Sequence, residues 1–488
     1  MTITIGRTNE LQLLKQAAES KTAEFIVIYG RRRIGKTHLI REFFQPLPQT
    51  NIYFSVTGMK DGTLEQQLQI FQEEVEKVFL NNTRLPKITS WREGLKLLAS
   101  LLKKQNENKG QLVLFFDELP WLATPKSGLI QAIDHIWNTE LAQIPNLRLI
   151  VCGSAASWMM SHLVHAKGGL HHRITRKIHL YPFNLSETAL FLQHLGVHLK
   201  QSQILEIYMA IGGIAHYLKQ VQKGLSARQN ISKICFSKNG YLRDEFNLLF
   251  QSLFNDSENH LKIIHALASK KSGLSRKELI EKTKISSGGR LATWLDELEQ
   301  SGFISSSIPY GKSTTQVRYK LMDEYTLFYL KWIKKAPKGD DGESFWERAS
   351  ESPTYSSWSG LAFEAVCTKH TSQIKKALGI QGVTLQTNSW NYISPQGSAK
   401  ESGAQIDILF DRSDNAITLG EIKFRSDEFI LEKTYAQELK HKIEVFEKIT
   451  KTRKQIFLAL ITTYGIKPSI WTEGLIHNVI KTEDLFKD

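Results

Sequence analysis

Apolar runs and stretches of helical spacing alternate along the first third of the chain. Phe25-Ile-Val-Ile-Tyr29, Leu112-Val-Leu-Phe-Phe116 and Leu147 to Cys152 are short and apolar at nearly every position, the pattern of a strand buried on both faces. His38 to Phe44 is instead apolar at helical spacing. Residues 184–256 keep that helical period, with Ile204, Ile207, Tyr208 and Ile211 on one face. Leu261 to Ala268 is a further helical stretch. Ser275 with Glu278 three residues later reads as a capping box. Ile285-Ser286-Ser287 opens another helix running to Glu299, and Ser301-Gly302 stops it. Phe303 to Ser307 and Gln316 to Leu321 predict two strands around Tyr310-Gly311-Lys312. Three helices and such a hairpin predict a winged helix-turn-helix.

Ala336 to Glu343 is polar and turn-rich, so 336–350 reads as a linker. A helix is expected around Ser359–Lys376, strands over Gln405–Phe410 and Ile417–Phe424, an amphipathic helix over Tyr435–Ile449 and a strand over Gln455–Ile461. The expected organisation is a core over 1–182, a helical segment over 183–256, a winged helix over 257–335, the linker, and an α/β domain over 351–488. A length of 488 residues fits this division, at roughly 100–200 residues per domain.

Composition adds three points. Cys152, Cys235 and Cys367 lie far apart, so no disulfide framework or paired-cysteine zinc site is expected, and a reducing, cytoplasmic setting is the default. No apolar run is long enough to span a membrane, and the N-terminus has no signal-peptide pattern. A formal charge of +14 points to an anionic partner, nucleic acid first. Residues 258–335 hold 14 Lys and Arg against 8 Asp and Glu, a net of +6. There Arg290 and Lys312 are candidates for phosphate or base contacts. Asp296, Glu297 and Glu299 on the same helix oppose that reading. His162, His165, His171 and His172 flank a Gly-rich stretch and read as a solvated loop rather than a zinc site.

Gly30-Arg31-Arg32-Arg33-Ile34-Gly35-Lys36-Thr37 matches G-x-x-x-x-G-K-[ST] and lies between the first strand and its helix. The glycines let backbone N–H groups curl toward phosphate oxygens, and the helix adds its positive end. Lys36 is expected at the β- and γ-phosphates of ATP, and the Thr37 hydroxyl on Mg²⁺. His38 closes the binding stretch. Asp117 and Glu118 end the second apolar run, where an acid faces the ligand crevice of an open α/β sheet. Asp117 is expected to hold Mg²⁺, and Glu118 to orient or deprotonate the attacking water. Ser154, after the third run, is a candidate γ-phosphate sensor.

These residues resemble those of the AAA+/STAND-like ATPases, specifically the archaeal-type ATPase group. The resemblance rests on Ile5-Gly6-Arg7 with Glu10-Leu11, the glycine loop, Asp117-Glu118-Leu119-Pro120-Trp121 and Cys152-Gly153-Ser154. It continues through Arg173 ahead of Leu180-Tyr181-Pro182-Phe183, and through Ile211-Gly212-Gly213-Ile214. It implies that Gly6 and Arg7 border the adenine, that 183–256 is a helical lid, and that Arg173 or Arg176 reaches the γ-phosphate in its own or a neighbouring subunit. Ala215 stands where the family usually has proline.

In the C-terminal part, Glu421 and Lys423 share one side of a strand, and Asp407 can pair across from Glu421. With Glu364 on the preceding helix, this set resembles the PD-(D/E)xK nuclease core, and also a domain of unknown function that often follows archaeal-type ATPases. The resemblance implies a restriction-endonuclease-like α/β domain with a second divalent metal at Glu364, Asp407 and Glu421. Lys423 would then act with Asp407 and Glu421 in catalysis. The expected function is ATP hydrolysis whose nucleotide state controls a metal-dependent nuclease-like domain on nucleic acid. The alternatives are a non-cleaving ATP-dependent switch read by a partner protein or a second copy, and a DNA-binding regulator.

Overall fold

The computed structural model describes residues 4–45, 51–105, 110–165, 169–254, 256–286, 288–337, 342–392 and 403–487. The chain forms two compact units, Met1–Pro182 and Phe183–Asp488.

The first unit is built on β1 (Glu24–Tyr29), β2 (Ile52–Thr57), β3 (Leu112–Asp117), β4 (Leu147–Gly153) and β5 (Arg176–His179). They form one parallel sheet in the order β2-β3-β4-β1-β5. β1, β3 and β4 are buried at every position, because helices cover both faces of a parallel sheet. Phe25, Val27, Leu114, Phe116, Leu149 and Val151 pack on one face against Phe71, Trp91, Leu95, Ile133 and Trp137. That side chains alternate between faces explains why the apolar runs show no polar interruption. One exception is Arg148 near the start of β4, which is 1% exposed.

The second unit opens with helices including Leu185–His194, Gln201–Ile211 and Glu245–Leu253. Helices Ser257–Ala268, Arg276–Thr283 and Gly289–Gln300 follow. With them goes the antiparallel sheet β6 (Leu274–Ser275), β7 (Ile304–Ser307) and β8 (Arg318–Leu321), in the order β6-β8-β7. Ser275 and Glu278 make the reciprocal capping box. The third helix begins at Gly289, not at Ser286; Ser287 lies outside the described residues.

Two expectations need correction. The stretch 336–350 is not all linker: Gly342–Ser350 is helical and Trp346 is 1% exposed, packed among Phe236, Phe328 and Tyr355. Burial of one indole outweighs the turn signals ahead of it. The helix expected over 359–376 is two helices, Pro353–Lys369 and Thr371–Ala377. They part at buried His370, whose Nδ1 bonds the Val366 carbonyl while Nε2 accepts from the Leu185 amide.

The last domain holds β9 (Leu385–Tyr392), β10 (Ala404–Arg412), β11 (Ala416–Lys423), β12 (Phe429–Ile430), β13 (Gln455–Thr462), β14 (Ile466–Lys467) and β15 (Asn478–Lys481). The main sheet runs β15-β13-β11-β10-β9. β9, β10 and β11 are antiparallel, and β13 and β15 continue parallel to β11. Helix Lys433–Thr450 packs through Leu439 and Phe446. The wing docks onto this domain. The Tyr310 amide donates to the Ser389 carbonyl of β9 at 3.0 Å, and its ring meets Phe446 at 5.6 Å.

Candidate nucleotide site and a second carboxylate cluster

The glycine loop joins β1 to helix Lys36–Phe44. Gly30 has φ +145°, and a Cβ there would lie 2.2 Å from the Leu180 carbonyl oxygen, so only glycine fits. Gly35 has φ +98° and stands at the helix N-cap, which points the free helical N–H groups into the loop. The Lys36 ammonium donates to the carbonyls of Gly30 at 2.8 Å and Arg31 at 2.9 Å, so it spans the mouth of the loop. The Thr37 hydroxyl donates to Asp117 Oδ2 at 2.9 Å. Helix and β3 thus bring together a hydroxyl and a carboxylate, the donor set suited to Mg²⁺.

Glu118 follows in the left-handed region at φ 49°, a conformation that a non-glycine residue keeps only against some cost. Its carboxylate accepts from the Ser154 amide at 3.0 Å and the Ser154 hydroxyl at 2.9 Å. The Asp117 carboxylate in turn accepts from the Glu118 amide at 3.1 Å. Ser154 therefore positions the acid beside Thr37 and Asp117.

Arg7 is 5% exposed and donates to the Tyr181 carbonyl at 2.7 Å and the Ile34 carbonyl at 3.2 Å. Gly6 and Arg7 both have positive φ, and this turn delivers the guanidinium to the loop. Arg31 and Ile34 are buried, Arg33 has φ 71°, and Arg32 lies 6.0 Å from the Trp121 ring. His38 points outward along the helix, 3.9 Å from Glu42.

The two candidate arginines lie away from the loop of their own chain. Arg176 pairs in register with Ile26, three positions before Tyr29, or roughly 10 Å at strand spacing. It lies 3.7 Å from Glu24. Arg173, earlier still in the chain, is exposed.

In the second unit, Asp407 and Glu421 stand on the neighbouring strands β10 and β11. Asp407 Oδ2 accepts from the Ile422 amide at 3.0 Å. Glu421, 4% exposed, accepts from Lys442 at 2.8 and 3.0 Å, lies 3.0 Å from Lys423, and is hydrogen-bonded by the Tyr435 hydroxyl. Burial, with the Glu421 and Glu364 charges beside it, pushes the Asp407 carboxyl up to about 7. Burial opposes ionisation of Glu421 too, but Lys442 and Lys423 outweigh it and hold that carboxyl below its ordinary value. Glu421 is therefore the acid of the pair that ionises first as pH rises.

Glu364 belongs to this neighbourhood but is engaged elsewhere: Lys320 of wing strand β8 donates to its Oε1 at 2.5 Å. Among the described residues no group of three or more His, Cys, Asp or Glu side chains is arranged to hold a metal. The ligand set expected at Glu364, Asp407 and Glu421 is not among such groups; in this arrangement Lys320 engages Glu364, and Lys442 and Lys423 engage Glu421. Lys442 and Tyr435 were missed by sequence reasoning. Their spacing of seven, two helical turns on one face, was the available signal. Lys320 carried no local signal at all.

Residues 5–221 match a family described as an ATPase domain predominantly from Archaea. An uncharacterized protein of Methanocaldococcus jannaschii is 24% identical over 432 residues, covering 86% of this chain and 87% of that protein. Among solved structures, a Walker-type ATPase of Pyrococcus abyssi is 18% identical, with 67% of this chain and 96% of that chain covered and a TM-score of 0.45. The ORC2 protein of Aeropyrum pernix is 13% identical, with 71% and 95% covered and the same TM-score. No helix among the described residues is long and apolar enough to cross a membrane. The glycine loop, the acid pair at the end of β3 and the match over 5–221 agree, and the N-terminal part of this chain carries a P-loop and is similar to ATPase domains found predominantly in Archaea.

Proposed function

We propose that the chain hydrolyses ATP and that the nucleotide state of its first unit governs the second. The Thr37 hydroxyl set 2.9 Å from Asp117 carries the first part of this reading. Mg²⁺ held by those two groups would neutralise charge on the β- and γ-phosphate oxygens. Lys36 exchanges its loop carbonyls for phosphate oxygens. Glu118, fixed by Ser154, orients a water and takes its proton. Arg173 is exposed and precedes β5, which begins beside Ile26 and not at the loop, and this suits a group supplied to the loop of a second copy. The experiment is phosphate release from ATP by the full chain. It is expected with Mg²⁺ and absent in excess EDTA. No release with Mg²⁺ would overturn the reading.

The carboxylate cluster favours a further part, a nuclease-like domain acting on nucleic acid. Its support is the order of elements: a helix with Glu364, a strand with Asp407, then a strand with Glu421 and Lys423. Lys320 on Glu364 gives the domain a closed state, and moving the wing would free that carboxylate for a divalent metal. Nucleic acid is the proposed partner. Two acids that oppose this on helix Gly289–Gln300 are internally engaged: Glu297 lies 2.7 Å from His260, and Glu299 accepts from the Ser306 amide. Arg290 and Lys312 remain exposed. Cleavage of DNA and RNA with Mg²⁺ or Mn²⁺ is expected to rise in Lys320→Ala and vanish in Asp407→Ala. If no chain cuts either substrate, with or without ATP, the non-cleaving switch stands instead.

A further inference from the structure

The phosphate end of the nucleotide is fixed by the loop, and the sheet order fixes which way the rest must run. Thr37 and Asp117 mark the metal and γ-phosphate end, on the β3 side of β1. The base therefore leaves toward the other flank, where β5 lies. Three aromatic rings pack in a row on that flank. Tyr29 and His179 have centroids 4.6 Å apart at 25°, and His179 and Tyr181 are 4.0 Å apart at 33°. The ladder begins buried, with Tyr29 at 8% exposure, and ends in Tyr181 at 59%.

The outer ring is tied to the phosphate loop at two points. Arg7 clamps the Tyr181 carbonyl to that of Ile34 within the loop. The Leu180 amide donates to the Tyr29 carbonyl at 2.8 Å, and the Leu180 carbonyl lies against Gly30. A large exposed apolar ring held this rigidly loses little freedom when a flat ligand covers it.

We propose that Tyr181 is the stacking platform for the purine base, with His179 and Tyr29 as positioning residues behind it. This rests on the ATP-binding reading and extends it to the base. Stacking on a π-face tolerates different bases, so Tyr181 contributes affinity without choosing adenine over guanine. The phosphates are held by the loop and the metal it binds with Asp117, without Tyr181.

The test is calorimetric titration of the full chain, with Mg²⁺, against ATP and separately against inorganic tripolyphosphate. Tyr181→Ala is expected to weaken ATP about tenfold and leave tripolyphosphate unchanged, while Tyr181→Phe binds both like the unaltered chain. Unchanged ATP affinity in Tyr181→Ala would overturn the proposal. So would an equal loss for both ligands, which would make the ring a support of the loop. Failure of the unaltered chain to bind ATP would instead strike the ATP-binding reading beneath it.

Discussion

A Glu118→Gln chain is expected to bind ATP as the unaltered chain does and to release phosphate about 10²- to 10⁴-fold more slowly, the usual loss when a positioned general base is removed. The substitution is a narrow one. Glutamine keeps an oxygen for the Ser154 amide and hydroxyl, now at 3.0 and 2.9 Å. Its backbone keeps the amide contact to Asp117. Shape and packing at the end of β3 are thus retained, and what disappears is the capacity to take a proton. A kcat within about threefold of the unaltered chain would show that Glu118 holds Ser154 and has no part in proton transfer. A parallel loss of ATP affinity would show that the change had reached Thr37 and Asp117.

Arg148→Met is expected to destabilise the chain by about 3–5 kcal/mol, among the largest losses a single replacement produces. The guanidinium is buried at the start of β4, where its register partner is Glu24. Nη1 donates to the carbonyls of Thr22, Pro145 and Leu147, and Nη2 to those of Ala18 and Ser20. It therefore ties the turn between the first helix and β1 to the segment leading into β4. Methionine fills much of the same volume but leaves these carbonyls without their donor. Lysine rescues poorly, since one ammonium cannot span the fork. Urea denaturation followed by tryptophan fluorescence checks this. A shift under about 1 kcal/mol would mean that water replaces the guanidinium.

What the sequence made legible was local. The glycine loop, Asp117-Glu118 and the Ser275 capping box each depend on residues close in the chain, and each pattern has one dominant physical cause. β1, β3 and β4 were readable because burial on both faces leaves only apolar positions. β9 was not: its burial alternates irregularly at the sheet edge, and Gln386, Thr387 and Asn388 give no apolar run. Gly342–Ser350 was hidden behind the polar residues before it, although Phe345-Trp346 was a signal for burial. The lysine partners of the two glutamates differ in legibility: Lys423 stands two residues from Glu421 on the same strand and Lys442 shares a helix face with Tyr435, but Lys320, the partner of Glu364, comes from the wing, and only the tertiary arrangement decides that its ammonium reaches that carboxylate.

The docking of Tyr310 on β9 bears on more than the carboxylates. β9 is the last strand of its sheet, and an open strand edge invites pairing with another chain. The wing blunts that edge through its bond to Ser389 and the ring wedged against Phe446. A movement that lifts the wing uncovers ladder groups ready to bond a second strand. The same hairpin thus covers an edge that would otherwise be free to pair with another chain.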